Sequence, residues 1–211
     1  MSRLKVAVLI SGGGTNLQAL IDEIEKGYIN AEIKLVISSN KNAYGLIRAE
    51  KHNIPTIIVD RYNYSNKDKR QKMVLDTLEK NQIDLVVLAG YLEIISNEVI
   101  EGFRNRIINI HPSLIPSFSG RGYYGERVHQ EAIARGVKVS GATVHFVNEE
   151  TDGGPIIIQE AISVEYEDNE KTLQMKVLKL EHKILPQAVK LFSEGRIEVV
   201  KNRVRIMEGE E

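Results

Sequence analysis

Asn109 and His111 stand one residue apart at the end of a short apolar run, "IINIH" (107–111). Because side chains alternate along a strand, both would lie on the same side of it. An amide donor beside an imidazole can bind a carbonyl oxygen and keep hold of it as it becomes an oxyanion. Pro112 and Pro116 follow and would stiffen the next turn. The alternative is a histidine that makes an ordinary hydrogen bond in a loop.

Asp152 lies in "NEETDGGPII" (148–157), a tight turn between two runs that look like strands. One interpretation is a carboxylate that orients His111 and favours its protonated form. The other is an aspartate that caps its own turn by accepting hydrogen bonds from nearby backbone N–H groups. The local pattern leaves both interpretations open.

A glycine-rich stretch, "LISGGGTNLQ" (9–18), joins the first strand-like run to the first helical pattern. Backbone N–H groups at a helix N-terminus form a ready anion site, and Gly12 to Gly14 would let a phosphate approach closely. The spacing matches neither the dinucleotide-binding fingerprint nor a Walker loop. The pattern therefore favours a phosphate loop of another kind, with a plain connecting turn as the alternative.

The composition excludes several classes of function. The 211 residues include 28 Lys+Arg and 29 Asp+Glu, so a net charge of -1 gives no reason to expect a nucleic-acid or membrane partner. With no cysteine, disulfides and thiolate metal sites are excluded, and no metal is expected. The N-terminal apolar run is short and broken by glycines, so we expect a cytoplasmic protein without a signal peptide.

The first half of the chain alternates strand and helix patterns, which predicts a parallel sheet with right-handed crossovers. The predicted strands lie at 5–11, 31–39, 56–60 and 84–91, and the predicted helices at 15–27, 43–53, 67–80 and 97–105.

The pattern changes after residue 106. A strand at 107–111, a loop at 113–125 and a helix at 127–136 precede two alternating runs at 141–148 and 155–164, a long helix at 170–195 and a hairpin at 196–206. Pro186 is expected to kink the long helix or divide it in two. The predicted fold class is α/β: a Rossmann-like, mostly parallel sheet flanked by helices, with an antiparallel or mixed C-terminal extension. We expect one domain over 1–211, built from halves 1–105 and 106–211.

Three motifs follow one another along the chain: "SGGGTNL", "NIHPSLIP" and "GATVHFVNEETDGGPII". Together they resemble the phosphoribosylglycinamide formyltransferase family, within the folate-dependent formyltransferases, and the resemblance covers nearly the whole chain. It implies a cytoplasmic enzyme that moves the formyl group of 10-formyltetrahydrofolate to the amine of glycinamide ribonucleotide in purine biosynthesis. Its partners would be these two small molecules, and the resemblance leaves open whether it is a monomer or a homodimer.

The resemblance also implies roles for individual residues. Asn109, His111 and Asp152 match the catalytic trio. The nucleotide substrate would be held by Gly14, Thr15, Asn16 and Glu181. The folate would contact Asn109 and Asp152 of the trio, together with Lys67, Leu92, Glu93, Ile94, Ile95, Asn148, Glu149, Glu150 and Thr151.

The sequence departs from the family pattern in three places. Glu93 stands where many relatives carry a basic residue, and Lys67 where they often carry an arginine. The loop "FSGRGYYGERVHQEA" is longer than the usual form. Two other functions stay open: formyltetrahydrofolate hydrolase or another folate-dependent formyltransferase, and a nucleotide-binding module without catalysis. A hydrolase that acts without a nucleotide would have no use for a phosphate loop.

Overall fold

The computed structural model describes residues 2–209, and the fold divides into two units between Asn109 and Ile110. The first unit alternates strands with helices. Its elements are β1 (Leu4–Ile10), α1 (Thr15–Glu25), β2 (Ala31–Ser38), α2 (Tyr44–Lys51), β3 (Thr56–Ile58), α3 (Lys67–Lys80), β4 (Leu85–Leu88) and α4 (Asn97–Gly102), followed by β5 (Ile107–His111), which crosses the boundary.

The strands of the first unit are parallel and lie in the order β3-β2-β1-β4-β5. The chain runs outward from β1 to β3 and then returns to β4 on the other side of β1. Such a reversal creates a crevice at the carboxyl ends of β1 and β4, where ligands of α/β proteins collect. The loops after these strands meet there, since the Leu92 N–H donates to Ser11 Oγ at 2.8 Å. The glycine-rich loop and the segment 92–95 are thus neighbours at this edge of the sheet.

The central strands are apolar along their whole length because helices cover both faces of a parallel sheet. Val8, Leu9 and Leu85 are completely buried. This burial explains why β1 and β4 read as continuous apolar runs instead of alternating ones.

The second unit contains the mixed extension. Its elements are α5 (Glu126–Ala134), β6 (Val139–Phe146), β7 (Ile156–Ser163), α6 (Glu170–Ser193), β8 (Ile197–Val200) and β9 (Arg203–Ile206). Strands β6 and β7 are antiparallel, as are β8 and β9, which form a separate two-stranded sheet. The main sheet has seven strands in the order β3-β2-β1-β4-β5-β6-β7. This topology confirms the predicted fold class.

The long helix α6 begins with a capping box and continues through a proline. The Asn169 side chain accepts hydrogen bonds from two backbone N–H groups of the first turn, and Thr172 Oγ1 accepts one from the Asn169 N–H. The chain stays helical through Pro186, so the expectation that this residue divides the helix in two is wrong. Ile184, Leu185 and Ala188 are buried around it, and such packing offsets the lost N–H donor.

Two kinds of feature are absent from residues 2–209. None of the helices found there combines the length and the apolar character needed to cross a bilayer. Within the same range, no group of three or more His, Asp and Glu side chains is arranged to hold a metal ion.

Candidate active site

His111 is the last residue of β5 and is almost completely buried. Its Nε2 lies 2.8 Å from the carbonyl oxygen of Phe118, and a carbonyl only accepts, so Nε2 carries a proton. Its Nδ1 faces Oδ2 of Asp152 at 3.6 Å. The imidazole is thus held between a carboxylate on one side and a loop carbonyl on the other, which determines its orientation.

Asp152 lies in the turn that joins β6 to β7. Its Oδ2 accepts a hydrogen bond from the Gly120 N–H at 2.8 Å, across 32 residues of sequence. Its Oδ1 lies 3.7 Å from Nε2 of His145. The side chain is only 11% exposed, and a buried carboxylate is costly unless donors and positive charge surround it. Asp152 therefore joins the turn to the loop after β5 and to two imidazoles.

The backbone of this turn explains the Asp-Gly-Gly sequence. Asp152 has φ 58, in the left-handed region that aspartate tolerates better than most residues. A Cβ at Gly154 would lie 1.8 Å from the carbonyl oxygen of Phe146, so only glycine fits there. A Cβ at Gly153 would lie 2.6 Å from the Glu150 side chain. The glycines let the turn fold closely enough to aim Asp152 at His111.

Asn109 precedes His111 by two residues on β5 and pairs with Leu88 of β4. Side chains two residues apart on a strand lie on the same side, so the strand presents the amide and the imidazole together. Asn109 is the last residue of the first unit, and His111 and Asp152 belong to the second.

Two further histidines surround the pair. His145 lies at a register shift of β6, and its Nδ1 lies 2.8 Å from the carbonyl oxygen of Phe146. Burial lowers the pKa of His145 below its ordinary value, and this effect outweighs the opposing effects of the Phe146 carbonyl and the Asp152 carboxylate. His129 of α5 is also buried, and burial together with the charge of His111 lowers its pKa from 6.5 to about 4. Both imidazoles are therefore expected to be neutral at pH 7.

The glycine-rich loop leads directly into α1. Gly14 caps the helix in the left-handed conformation, with φ 68, and a Cβ there would lie 2.6 Å from the Cα of Gly45. The first helical bond runs from the Gln18 N–H to the Gly14 carbonyl. The N–H groups of Thr15 and Asn16 precede that bond, and such first-turn groups are the donors that bind anions at helix N-termini.

The segment after β4 presents apolar side chains. Leu92 is 62% exposed and Ile94 is 52% exposed, whereas Ile95 is buried. The Glu93 carboxylate binds two arginines: Oε2 lies 3.0 Å from Nε of Arg70, and Oε1 lies 3.3 Å from Nε of Arg61. The negative charge that departs from the family pattern is thus neutralised inside the first unit.

The structure places the remaining predicted residues as follows. Lys67 is exposed at the first residue of α3. Asn148 to Thr151 form the turn before Asp152, where Asn148 Oδ1 accepts a hydrogen bond from the Glu150 N–H. Glu149 and Glu150 are exposed in that turn. Glu181 is buried in α6, with 8% of its surface exposed.

The sequence did not identify several groups that hold the site in place. These are the carbonyl of Phe118, the N–H of Gly120 and the hydroxyl of Ser11. Two are backbone atoms, which every residue carries, so no sequence pattern distinguishes them.

The chain was compared with known proteins. Residues 4–189 match the family model described as formyl transferase. Phosphoribosylglycinamide formyltransferase of Haemophilus influenzae is 42% identical over 198 residues, which is 94% of this chain and 91% of that protein. Glycinamide ribonucleotide transformylase 1 from Symbiobacterium toebii has a similar structure, with TM-score 0.92 and 40% identity, covering 98% of this chain and 95% of that one. A formyltetrahydrofolate deformylase from Pseudomonas syringae also superposes, with TM-score 0.89 and 28% identity, covering 98% of this chain and 66% of that one.

The low pKa of His129 makes stability depend on pH. Between pH 6.5 and about 4 the unfolded chain binds a proton at this residue that the folded protein does not. We therefore expect the free energy of unfolding to decrease as the pH falls through this window. His129→Gln should make that decrease smaller, and His145, whose pKa is also lowered, should account for part of the remainder.

Urea denaturation at several pH values between 7.5 and 4 measures this effect. Gln130→Ala, at the next and exposed position of α5, is the control and should retain the wild-type pH dependence. An imidazole signal of His129 that titrates near 6.5 by NMR would contradict the expectation.

Proposed function

The chain belongs to the formyl transferase family, and we propose that it transfers a formyl group from 10-formyltetrahydrofolate to the amine of glycinamide ribonucleotide. The family and the class of enzyme predicted from the sequence are confirmed by the relatives. The observation that carries the proposed chemistry is the pairing of His111 with Asp152 at 3.6 Å. Family membership supports the folate co-substrate, and a cytoplasmic location is a further part of the proposal that rests on the sequence alone.

The reaction forms one bond and breaks another. The neutral amine of the nucleotide attacks the formyl carbon, and the carbonyl oxygen becomes negatively charged. The intermediate then collapses and breaks the bond between carbon and N10 of the folate. One proton leaves the amine and one arrives at N10, so atoms and charge balance. The protein must therefore stabilise an oxyanion and carry a proton between two nitrogen atoms.

His111 and Asn109 supply the donors for the oxyanion. A protonated His111 and the Asn109 amide both donate N–H groups, and donors aimed at a developing charge stabilise it strongly away from water. The Nε2–H of His111 donates to the Phe118 carbonyl. An oxyanion competes well for such a proton, because charge-assisted hydrogen bonds are stronger than those to a neutral carbonyl.

Asp152 sustains the charge of His111. Its carboxylate favours the imidazolium over the neutral ring, since a nearby opposite charge stabilises the charged form. The lowered pKa of His145 keeps that second imidazole neutral, so the carboxylate does not share its stabilising charge between two cations. The N–H of Gly120 holds Oδ2 in place. The pair can then release a proton toward N10 and take one up from the amine, directly or through water.

The two substrates would bind to different loops. Gly14, Thr15 and Asn16 bind the phosphate of the nucleotide at the start of α1, and Glu181 binds elsewhere on the nucleotide. The pteridine contacts the apolar segment Leu92–Ile95 and the turn 148–152, and Lys67 takes part of the tail. Holding both substrates in line would contribute much of the rate, because alignment replaces an encounter in solution.

A hydrolase is the second candidate, since a deformylase shares the fold. Water would then replace the amine as the attacking group, with the same oxyanion donors. The glycine-rich loop argues for the transferase, because hydrolysis requires no phosphate site. Folate release that depends on the nucleotide distinguishes the transferase from the hydrolase.

Substitution of the paired residues tests the mechanism. His111→Ala and Asp152→Asn should each reduce turnover by about 10²-fold or more, because each removes the charged donor or its support. Binding of the nucleotide should stay nearly unchanged. Turnover is followed by the absorbance change of folate release with both substrates present.

His52→Ala and Asp76→Asn serve as matched controls, since His52 Nδ1 lies 2.7 Å from Oε1 of Glu25 and Asp76 pairs with Lys72, both within the first unit. Both controls should retain wild-type turnover. Near-normal turnover in both His111→Ala and Asp152→Asn would show that these two residues do not have the proposed roles.

Gly14→Ala tests the phosphate loop. A Cβ at this position meets the backbone of Gly45 at 2.6 Å, so the loop must move. We expect the KM for the nucleotide to rise by about tenfold or more, with the KM for formyl-folate nearly unchanged. Steady-state kinetics with each substrate varied in turn measures both values.

Gly136→Ala is the control, because Gly136 also has a positive φ but a Cβ there meets nothing within 4 Å. It introduces the same kind of backbone strain, about 1–2 kcal/mol, away from the loop. Equal effects of the two substitutions on nucleotide KM would show that Gly14 has no special role in binding.

A further inference from the structure

The start of α2 lies against the glycine-rich loop and binds two of its carbonyl groups. The Gly45 N–H donates to the Gly12 carbonyl at 3.1 Å. The Nε–H of Arg48 donates to the Gly13 carbonyl at 2.9 Å. Two consecutive peptide groups of the loop are therefore turned with their oxygen atoms toward α2.

The orientation of these carbonyls determines where the N–H groups point. In a planar trans peptide the N–H and the C=O point in opposite directions. The N–H groups of Gly13 and Gly14 therefore point away from α2. Together with the first N–H groups of α1, they form a row of donors for an anion.

Arg48 is itself held firmly. Its Nη1 donates to Oε1 of Gln18 on α1 at 3.2 Å, and its guanidinium lies 5.1 Å from the centre of the Tyr44 ring. A Cβ at Gly14 would lie 3.5 Å from the Cδ of Arg48, so the arginine stem packs against the loop. The side chain thus joins the loop, α1 and α2, and its positive charge lies beside the donors.

We propose that Arg48 is a positioning residue for the phosphate of the nucleotide substrate. It holds the Gly13–Gly14 peptide with its N–H outward, and its charge raises the local preference for an anion. The role rests on the proposed function, in which this loop binds the phosphate. Arg48 acts through the loop and does not take part in the chemistry of formyl transfer.

Three variants test the role. Arg48→Ala should raise the KM for glycinamide ribonucleotide by about tenfold, which corresponds to about 1.4 kcal/mol. Its kcat and its KM for formyl-folate should stay within about twofold of wild type. Arg48→Lys should give an intermediate KM, because a lysine keeps the charge but lacks the planar guanidinium whose Nε and Nη1 reach Gly13 and Gln18 separately. Lys51→Ala removes an exposed charge from the last residue of the same helix and should behave as wild type.

Binding of inorganic phosphate to the wild type and to Arg48→Ala, measured by calorimetry, separates this role from the proposed function. Phosphate that binds the wild type and the alanine variant equally well overturns the role of Arg48 and leaves the function standing. The role is also overturned if Arg48→Ala lowers kcat, raises both KM values to a similar extent and lowers the Tm. Such a result would indicate a general structural role for Arg48. A wild-type protein that binds neither phosphate nor the nucleotide overturns both.

Discussion

The contact between the Asp152 carboxylate and the His111 imidazole is the interaction on which the rest of the site depends. The carboxylate is nearly buried and lies at the tip of a turn, where it also binds the N–H of Gly120. Glycine at position 154 lets that turn approach the Phe146 carbonyl, so the backbone itself determines where the charge lies. The neighbouring His129 and His145 are buried and have lowered pKa values, so they add no positive charge around His111. A single, nearly buried acid thereby orients the imidazole that we propose as a donor to the oxyanion.

The parallel sheet of the first unit brings a second set of groups to one edge. The strand order reverses between β1 and β4, and the hydroxyl of Ser11 binds the backbone N–H of Leu92 across that reversal. One loop offers N–H donors suited to a phosphate, and the other offers exposed apolar side chains suited to a flat ring. The same topology therefore places backbone N–H groups and exposed apolar side chains at one edge of the sheet.

Much of the fold could be predicted from the sequence because buried parallel strands are continuous apolar runs that end at glycine or polar residues. The strands predicted at 56–60 and 84–91 run two and three residues past the ends of β3 and β4, since apolar character continues into the loops that follow them. The residue types at 109, 111 and 152 suggested chemistry, but their partners could not be read from the sequence. Phe118 and Gly120 contribute backbone atoms, and the pairing of Glu93 with Arg70 joins residues 23 positions apart. Such contacts depend on how the loops fold.

The fate of the formyl carbon tests the central claim most directly. The protein is supplied with glycinamide ribonucleotide and 10-formyltetrahydrofolate that carries ¹³C in its formyl group, and the products are followed by NMR. Formyl transfer predicts that the label appears as a formamide of the nucleotide, in an amount equal to the folate released, with no turnover when the nucleotide is omitted. Label recovered as free formate, at the same rate with and without the nucleotide, would contradict the account.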